Sequence, residues 1–283
     1  MKKMSMAEML SAAEKNNCAI AAINASNLET ISAVLAAASH CSAPVILQFS
    51  PLQHAAEDIS YREVTQLAEL ISLRYEHGAY VVHQDHGESF EDCLNALEGG
   101  FTSIMYDGAA LSYEENIANS ARVRAVGKDF FLESELGVLG AECSEQTGEI
   151  DDTAYTRPEL VKEFVERTGC DSLAVSIGNA HGIYKREPKL RLDILDEIHA
   201  VCPVPLVLHG ASGIPYDHIR LAISKGIRKI NFFTQLDTAF MSAFRTEADK
   251  GAYMMFAQGA GFKAMTEKCE ELIQLCTGGK IKC

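Results

Sequence analysis

The chain of 283 residues reads as a single (β/α)8 TIM barrel over 1–283, with a long mobile loop after the fifth strand and a helical tail at the C-terminal end. Three observations carry that expectation. Eight short apolar or β-branched runs recur along the chain, segments with helical spacing lie between them, and no Pro/Ser-rich linker breaks the alternation. The runs do not alternate strictly between apolar and polar residues, as expected for parallel strands buried on both faces. A doubly wound open sheet is the main competitor. It lacks support where a dinucleotide fingerprint would sit, because the first run is followed by Asn24-Ala25-Ser26-Asn27-Leu28.

The predicted strands are 19–23, 45–49, 80–83, 103–106, 130–132, 172–177, 206–208 and 229–233. The predicted helices are 29–38, 62–76, 90–97, 115–126, 159–167, 192–201 and 218–225, followed by the tail at 263–275. Start and stop signals agree with them. Ser89 precedes the third helix, Pro158 sits in the first turn of the fifth, and Gly169 and Gly226 close two of them. An extra stretch at 137–155 separates the fifth and sixth strands. It is rich in Gly and acidic residues, and in a barrel it would lie on the C-terminal face as a lid.

Composition narrows the function classes. The chain is 47% hydrophobic, enough for a sizeable core, and carries 25 Lys and Arg against 39 Asp and Glu, for a net charge of −14. That balance argues against nucleic acid as a partner, which needs clustered cations. Apolar stretches fall short of the ~20 residues needed to span a bilayer. After Lys2 and Lys3, Glu8 and Glu14 interrupt any apolar leader, so the expected location is the cytoplasm with no membrane partner. Nine cysteines, an odd number at wide spacing with no C-x-x-C, suggest reduced core residues rather than disulfides or metal ligands.

Candidate chemistry gathers at the strand ends. The third run leads into His83-Gln84-Asp85-His86-Gly87, the sixth is followed by Gly178-Asn179-Ala180-His181-Gly182, and the seventh ends at His209-Gly210-Ala211-Ser212-Gly213. His86, His181 and His209 thus leave three strands on one rim. Three imidazoles with an open position suit a catalytic zinc ion. Asp85 would either move a proton or orient a ligand histidine. Asp107 and Glu135 add acidic groups, either for a second metal position or for pairing with basic neighbours. The small or polar loops Gly210-Ala211-Ser212-Gly213 and Asn231-Phe232-Phe233-Thr234 fall where barrels hold phosphate on backbone N–H groups. Lys229, at the start of the eighth run, is on the wrong rim for a Schiff base.

These segments resemble the class II, zinc-dependent ketose-bisphosphate aldolases along nearly the whole chain. The matching blocks are His83-Gln84-Asp85-His86-Gly87, Ser103 to Gly108, Glu133 to Gly137, Leu173 to Gly182, Pro205 to Gly213, and Lys229-Ile230-Asn231 with Thr234. The resemblance implies that His86, His181 and His209 bind zinc. Asp107 and Glu135 then serve an alternative position for a second divalent or monovalent cation, and Asp85 is the proton donor and acceptor. It further implies that Gly182, Gly210, Ala211, Ser212, Asn231, Phe232, Phe233 and Thr234 hold dihydroxyacetone phosphate, with Asn24 and Ser50 near the aldehyde end. The implied reaction is reversible cleavage of a ketose 1-phosphate into dihydroxyacetone phosphate and an aldehyde, through an ene-diolate. A homodimer or homotetramer is implied as well.

Several positions depart from the family pattern. Ala109 stands where a Ser is usual, Pro51-Leu52-Gln53-His54 replaces glycines, and Cys143 falls where a loop Glu is expected, leaving Glu142 or Glu145 to substitute. The donor half reads as intact and the acceptor half as altered. The expected acceptor is therefore an analogue of glyceraldehyde 3-phosphate such as sulfolactaldehyde, from 6-deoxy-6-sulfofructose 1-phosphate. The alternatives are an ordinary fructose-1,6- or tagatose-1,6-bisphosphate aldolase and a non-catalytic sugar-phosphate-binding subunit.

Overall fold

The computed structural model describes residues 1–137, 154–182, 184 and 188–283. Glu142, Cys143 and Glu145, together with most of the expected lid, lie outside the described residues. The short strand β1 (Lys2–Lys3) and helix α1 (Met6–Lys15) come first. The barrel strands are β2 (Ile20–Asn24), β3 (Pro44–Phe49), β4 (Ala79–Gly87), β5 (Ser103–Tyr106), β6 (Phe131–Leu136), β7 (Ser172–Val175), β8 (Leu206–Leu208) and β9 (Ile227–Phe232). All pair in parallel in sequence order. β9 returns to β2 through Ala22 opposite Asn231, while β4 and β5 join through His83 opposite Ser103. The sheet closes into a (β/α)8 TIM barrel.

Helices α2 (Leu28–Cys41), α3 (Pro51–Glu57), α4 (Tyr61–Ser72), α5 (Phe90–Glu98), α6 (Tyr113–Arg124), α7 (Pro158–Thr168), α8 (Leu192–Val201), α9 (Tyr216–Ser224), α10 (Thr234–Asp249) and α11 (Met254–Thr277) follow their strands. Local chemistry starts many of them. Ser5, Asn27, Ser50, Ser60, Ser89 and Ser112 each cap a helix with reciprocal side-chain and backbone bonds to the residue three positions on. The structure adds α1, α3 and α10 to the predicted set. It extends the tail to Met254–Thr277, β4 to Gly87 and β6 to Leu136. No helix among the described residues is long and apolar enough to cross a membrane. Every described cysteine is a free thiol, and Cys18, Cys41, Cys93, Cys170, Cys269 and Cys276 are buried.

The period-two alternation of the strands places the site. Ala21, Ile23, Val45, Leu47, Val82, Leu132, Leu173, Leu208, Ile230 and Phe232 join the main core cluster with residues of the helices. The alternate positions face into the barrel. At its N-terminal end Ile20, Ala22, Ile46 and Val81 pack with Met6, Met9, Leu10 and Ala13 of α1, forming an apolar floor. Two residues further along the same strands the interior turns polar: Ala22 gives way to Asn24, Ile46 to Gln48, and Val81 to His83 and then Asp85. Glu133 and Glu135 on β6 and Lys229 and Asn231 on β9 continue that polar interior, and all are buried.

Candidate active site and metal centre

His86, His181 and His209 converge at the C-terminal mouth, their candidate ligand atoms all within 4.8 Å of one another. The His86 ring lies 4.7 Å from each of the other two, centroid to centroid, and those two are 6.0 Å apart. His209 extends the inward-facing set of β8, and Asn179, fully buried, donates from Nδ2 to its carbonyl at 3.0 Å. His86 needs a different device, because it directly follows Asp85 and simple alternation would send the two side chains to opposite faces. β4 shifts register between Gln84 and Gly87, and His86 takes a left-handed φ of +51°. A bulge of this kind re-aims a side chain, and such a φ in a non-glycine residue is a strain typical of functional sites. Both residues consequently serve the mouth.

Carboxylates orient two of the three rings. Asp107 lies 2.7 Å from His86 Nδ1, and Glu133 lies 2.9 Å from His209 Nε2. The remaining nitrogens, His86 Nε2 and His209 Nδ1, face each other at 3.0 Å. Burial opposes a charge on His86, but Asp85, Asp107 and Glu135 outweigh it and push its pKa up to about 10. A second group, His86, Asp107 and Glu135, also brings its ligand atoms within 4.8 Å. Burial and the neighbouring Asp107 charge raise the Glu135 carboxyl well above its ordinary range, and its Oε2 is buried with no hydrogen-bond partner among the described residues.

Asp85 is buried, and each of its oxygens accepts one amide N–H: Oδ2 from Asn24 at 2.9 Å and Oδ1 from Asn231 at 3.0 Å. Burial favours its neutral form, yet the rings of His86 and His209, Lys229 and the Asn24 bond outweigh that and lower its pKa. Its carboxylate is thus held in the charged form with both oxygens oriented. Asn24 Nδ2 also lies 3.4 Å from Gln53 Oε1, at the start of α3. Ser50 spends its hydroxyl on that helix: its Oγ accepts from Gln53 N at 3.3 Å. The divergent segment at 51–54 is thus a capped helix against the Asp85 anchor, with Pro51 in its first turn.

The loops after β8 and β9 form the other wall. Gly210 has φ +62°, and a Cβ there would collide with the Ala180 carbonyl, so glycine is required. Ala211 N donates to Asn231 O at 3.2 Å, and Phe233 N donates to Ser212 Oγ at 3.2 Å, tying the loops together. Tyr184 OH accepts from Ala180 N at 2.7 Å and donates to Gly210 O at 2.9 Å. Helix α10 begins at Thr234 with no side-chain cap, right after β9, and Gly182 is exposed. Phe232 turns its side chain into the outer core, so only its backbone is available here, whereas Phe233 is about half exposed.

A family model for class II fructose-bisphosphate aldolases matches residues 4–279. The chain belongs to this family. Among solved structures it is similar to the YdjI aldolase of Escherichia coli K12, at 34% identity and a TM-score of 0.84, with 97% of each chain covered. It is also similar to a putative fructose-1,6-biphosphate aldolase of Coccidioides immitis, at 27% identity and a TM-score of 0.85, covering 96% of this chain and 95% of that one. A fructose-bisphosphate aldolase of Campylobacter jejuni matches at 25% identity and a TM-score of 0.80, covering 97% and 95%. The aldolase is therefore a lyase by family, and its family is generally zinc-dependent.

The residues present fit a divalent cation. Asp85, Asp107, Glu133 and Glu135 gather four carboxyl groups around the rings, with Lys229 as a buried ammonium on Glu133. The unpartnered Glu135 oxygen and the two converging imidazole nitrogens are donors that such an ion would satisfy. Sequence reasoning did not single out Tyr184, and it named Asn179, His83, Glu133 and Lys229 only as parts of motifs, without the buried contacts they make. Lys229 is the third residue of β9, with its ammonium inside the barrel on Glu133.

Proposed function

We propose that this aldolase reversibly cleaves a ketose 1-phosphate into dihydroxyacetone phosphate and an aldehyde, with zinc held by His86, His181 and His209. The observation that carries the reading is the convergence of those three rings beside an ionised carboxylate that two amides hold in place. Zinc there would polarise the substrate carbonyl and stabilise the negative charge that develops when a proton leaves. Asp85 takes that proton on its carboxylate and returns it, while Asn24 and Asn231 keep its oxygens aimed. Gly182, Gly210, Ser212 and Thr234, at the N-terminus of α10, would offer backbone N–H groups to the substrate phosphate, while Ala211, Asn231, Phe232 and Phe233 shape the loops around it, an arrangement that requires no basic side chain. Asp107 and Glu135 serve the alternative cation position. Glu142 and Glu145 are the candidates for the loop acid.

For the acceptor we propose a glyceraldehyde 3-phosphate analogue such as sulfolactaldehyde, ahead of the aldehyde halves of fructose or tagatose bisphosphate. The support is the altered acceptor side, where α3 absorbs Ser50 as its cap and sets Gln53 against Asn24. Turnover of 6-deoxy-6-sulfofructose 1-phosphate measured beside both bisphosphates tests this. The sulfonated ketose is expected to give the highest kcat/KM, and a clear preference for either bisphosphate rejects it. The homodimer or homotetramer implied by the family resemblance is retained as a proposal. Light scattering tests it against the 30.8 kDa of one chain.

A further inference from the structure

Below the metal cluster the barrel interior holds ions where barrels ordinarily stack Val, Ile and Leu. Lys229 on β9, Glu133 on β6 and His83 on β4 are all fully buried, with Ser103 and Ser172 beside them. Lys229 Nζ is 2.8 Å from both Glu133 oxygens and 3.2 Å from His83 Nε2, which engages its three N–H groups. Glu133 is filled in turn, by two bonds from Lys229, by Ser172 Oγ at 3.3 Å and by His209 Nε2 at 2.9 Å. His83 Nδ1 closes the set on Ser103 Oγ at 2.8 Å. A carboxylate has about four acceptor sites, so Glu133 has no freedom left to turn.

Stability is a poor account of this cluster, since apolar residues of similar volume generally replace a buried ion pair without loss. The cluster does touch the site at one atom, His209 Nε2. An ionised carboxylate only accepts, so His209 donates from Nε2 to Glu133, which fixes the proton there and leaves the Nδ1 lone pair facing His86.

We propose that Glu133 and Lys229 are positioning residues of this aldolase. Glu133 sets the tautomer and ring plane of His209, and Lys229 locks Glu133 in that orientation. The proposal rests on the reading of His209 as a metal ligand.

The test compares wild type, the double variant Lys229→Met/Glu133→Leu, Glu133→Gln and His209→Ala. Zn2+ affinity is measured by competition with a chelating indicator, the Co2+ absorption spectrum is recorded, and melting temperature serves as the fold control. Removing such outer partners typically costs ~10–100-fold in metal affinity. That loss, with an altered Co2+ band and a melting temperature at or above wild type, is the expected result for the double variant. Glu133→Gln, which keeps an acceptor, should retain more affinity than the double variant. Phe164→Leu, in the outer core, should lower the melting temperature without moving the affinity. Wild-type affinity and spectrum in the double variant, with affinity lost in His209→Ala, overturn the positioning role alone. Unchanged affinity in His209→Ala overturns the ligand assignment beneath it.

Discussion

Replacing His209 by alanine is expected to remove tight metal binding and, with it, aldolase activity. The ring supplies one of three converging nitrogens and is itself buried, just after β8. Loss of an inner ligand should exceed the ~100-fold cost typical of outer partners. Metal analysis after dialysis should show the ion lost from His209→Ala and retained by wild type. The same variant leaves Glu133 without one of its four donors, so its melting temperature should fall as well. A His209→Ala protein that keeps its metal and its activity would remove this residue from the site.

Asp85→Asn carries the second large effect. The substitution keeps the shape and the inward direction of the side chain but removes the group that takes a proton. General acid–base catalysis contributes typically ~10²–10⁴-fold, and a loss of that size is expected in the cleavage rate, with metal content unchanged. The new amide also meets the donors of Asn24 and Asn231 with one oxygen where two stood before, so some loss of order around it is part of the effect. If cleavage falls while exchange of the dihydroxyacetone phosphate carbon proton survives, Asp85 serves the aldehyde oxygen, and a loop acid, Glu142 or Glu145, serves the carbon.

The strands and the three histidines were legible because their signals are local. An apolar run that leads within a few residues to a His-Gly pair marks a strand end on the functional rim, and this happens at His86-Gly87, His181-Gly182 and His209-Gly210. Three helices escaped for different reasons. α1 has a visible Ser5–Glu8 capping box and apolar residues at Met6, Met9, Leu10 and Ala13, so its signal was present and passed over. α3 is a short helix of 51–57 with no buried residue, so its only signals are the Ser50–Gln53 capping pair and Pro51 in the first turn. α10 carries Leu236, Phe240 and Phe244 at helical spacing, so an apolar stripe was present, but only Leu236 is fully buried and no capping residue marks its start.

The interior ions were hidden for a more general reason. Lys229 and Glu133 are 96 residues apart, and their pairing exists only after barrel closure puts β6 and β9 around one axis. The bulge that brings Asp85 and His86 to the same mouth is likewise a matter of strand register, which a run of four polar residues and a glycine does not reveal. Period-two counting from Val81 through His83 to Asp85 would have marked the interior set, because the apolar floor ends at the same height on β2, β3 and β4.

The most direct test of the central claim uses dihydroxyacetone phosphate in deuterated water, with the signal of its exchangeable carbon-bound proton followed by NMR. The account predicts steady loss of that signal with the metal-loaded protein, arrest on adding chelator, and recovery when zinc is restored. Exchange that continues at the same rate in excess chelator would contradict it. So would metal-loaded protein that binds dihydroxyacetone phosphate and never exchanges the proton.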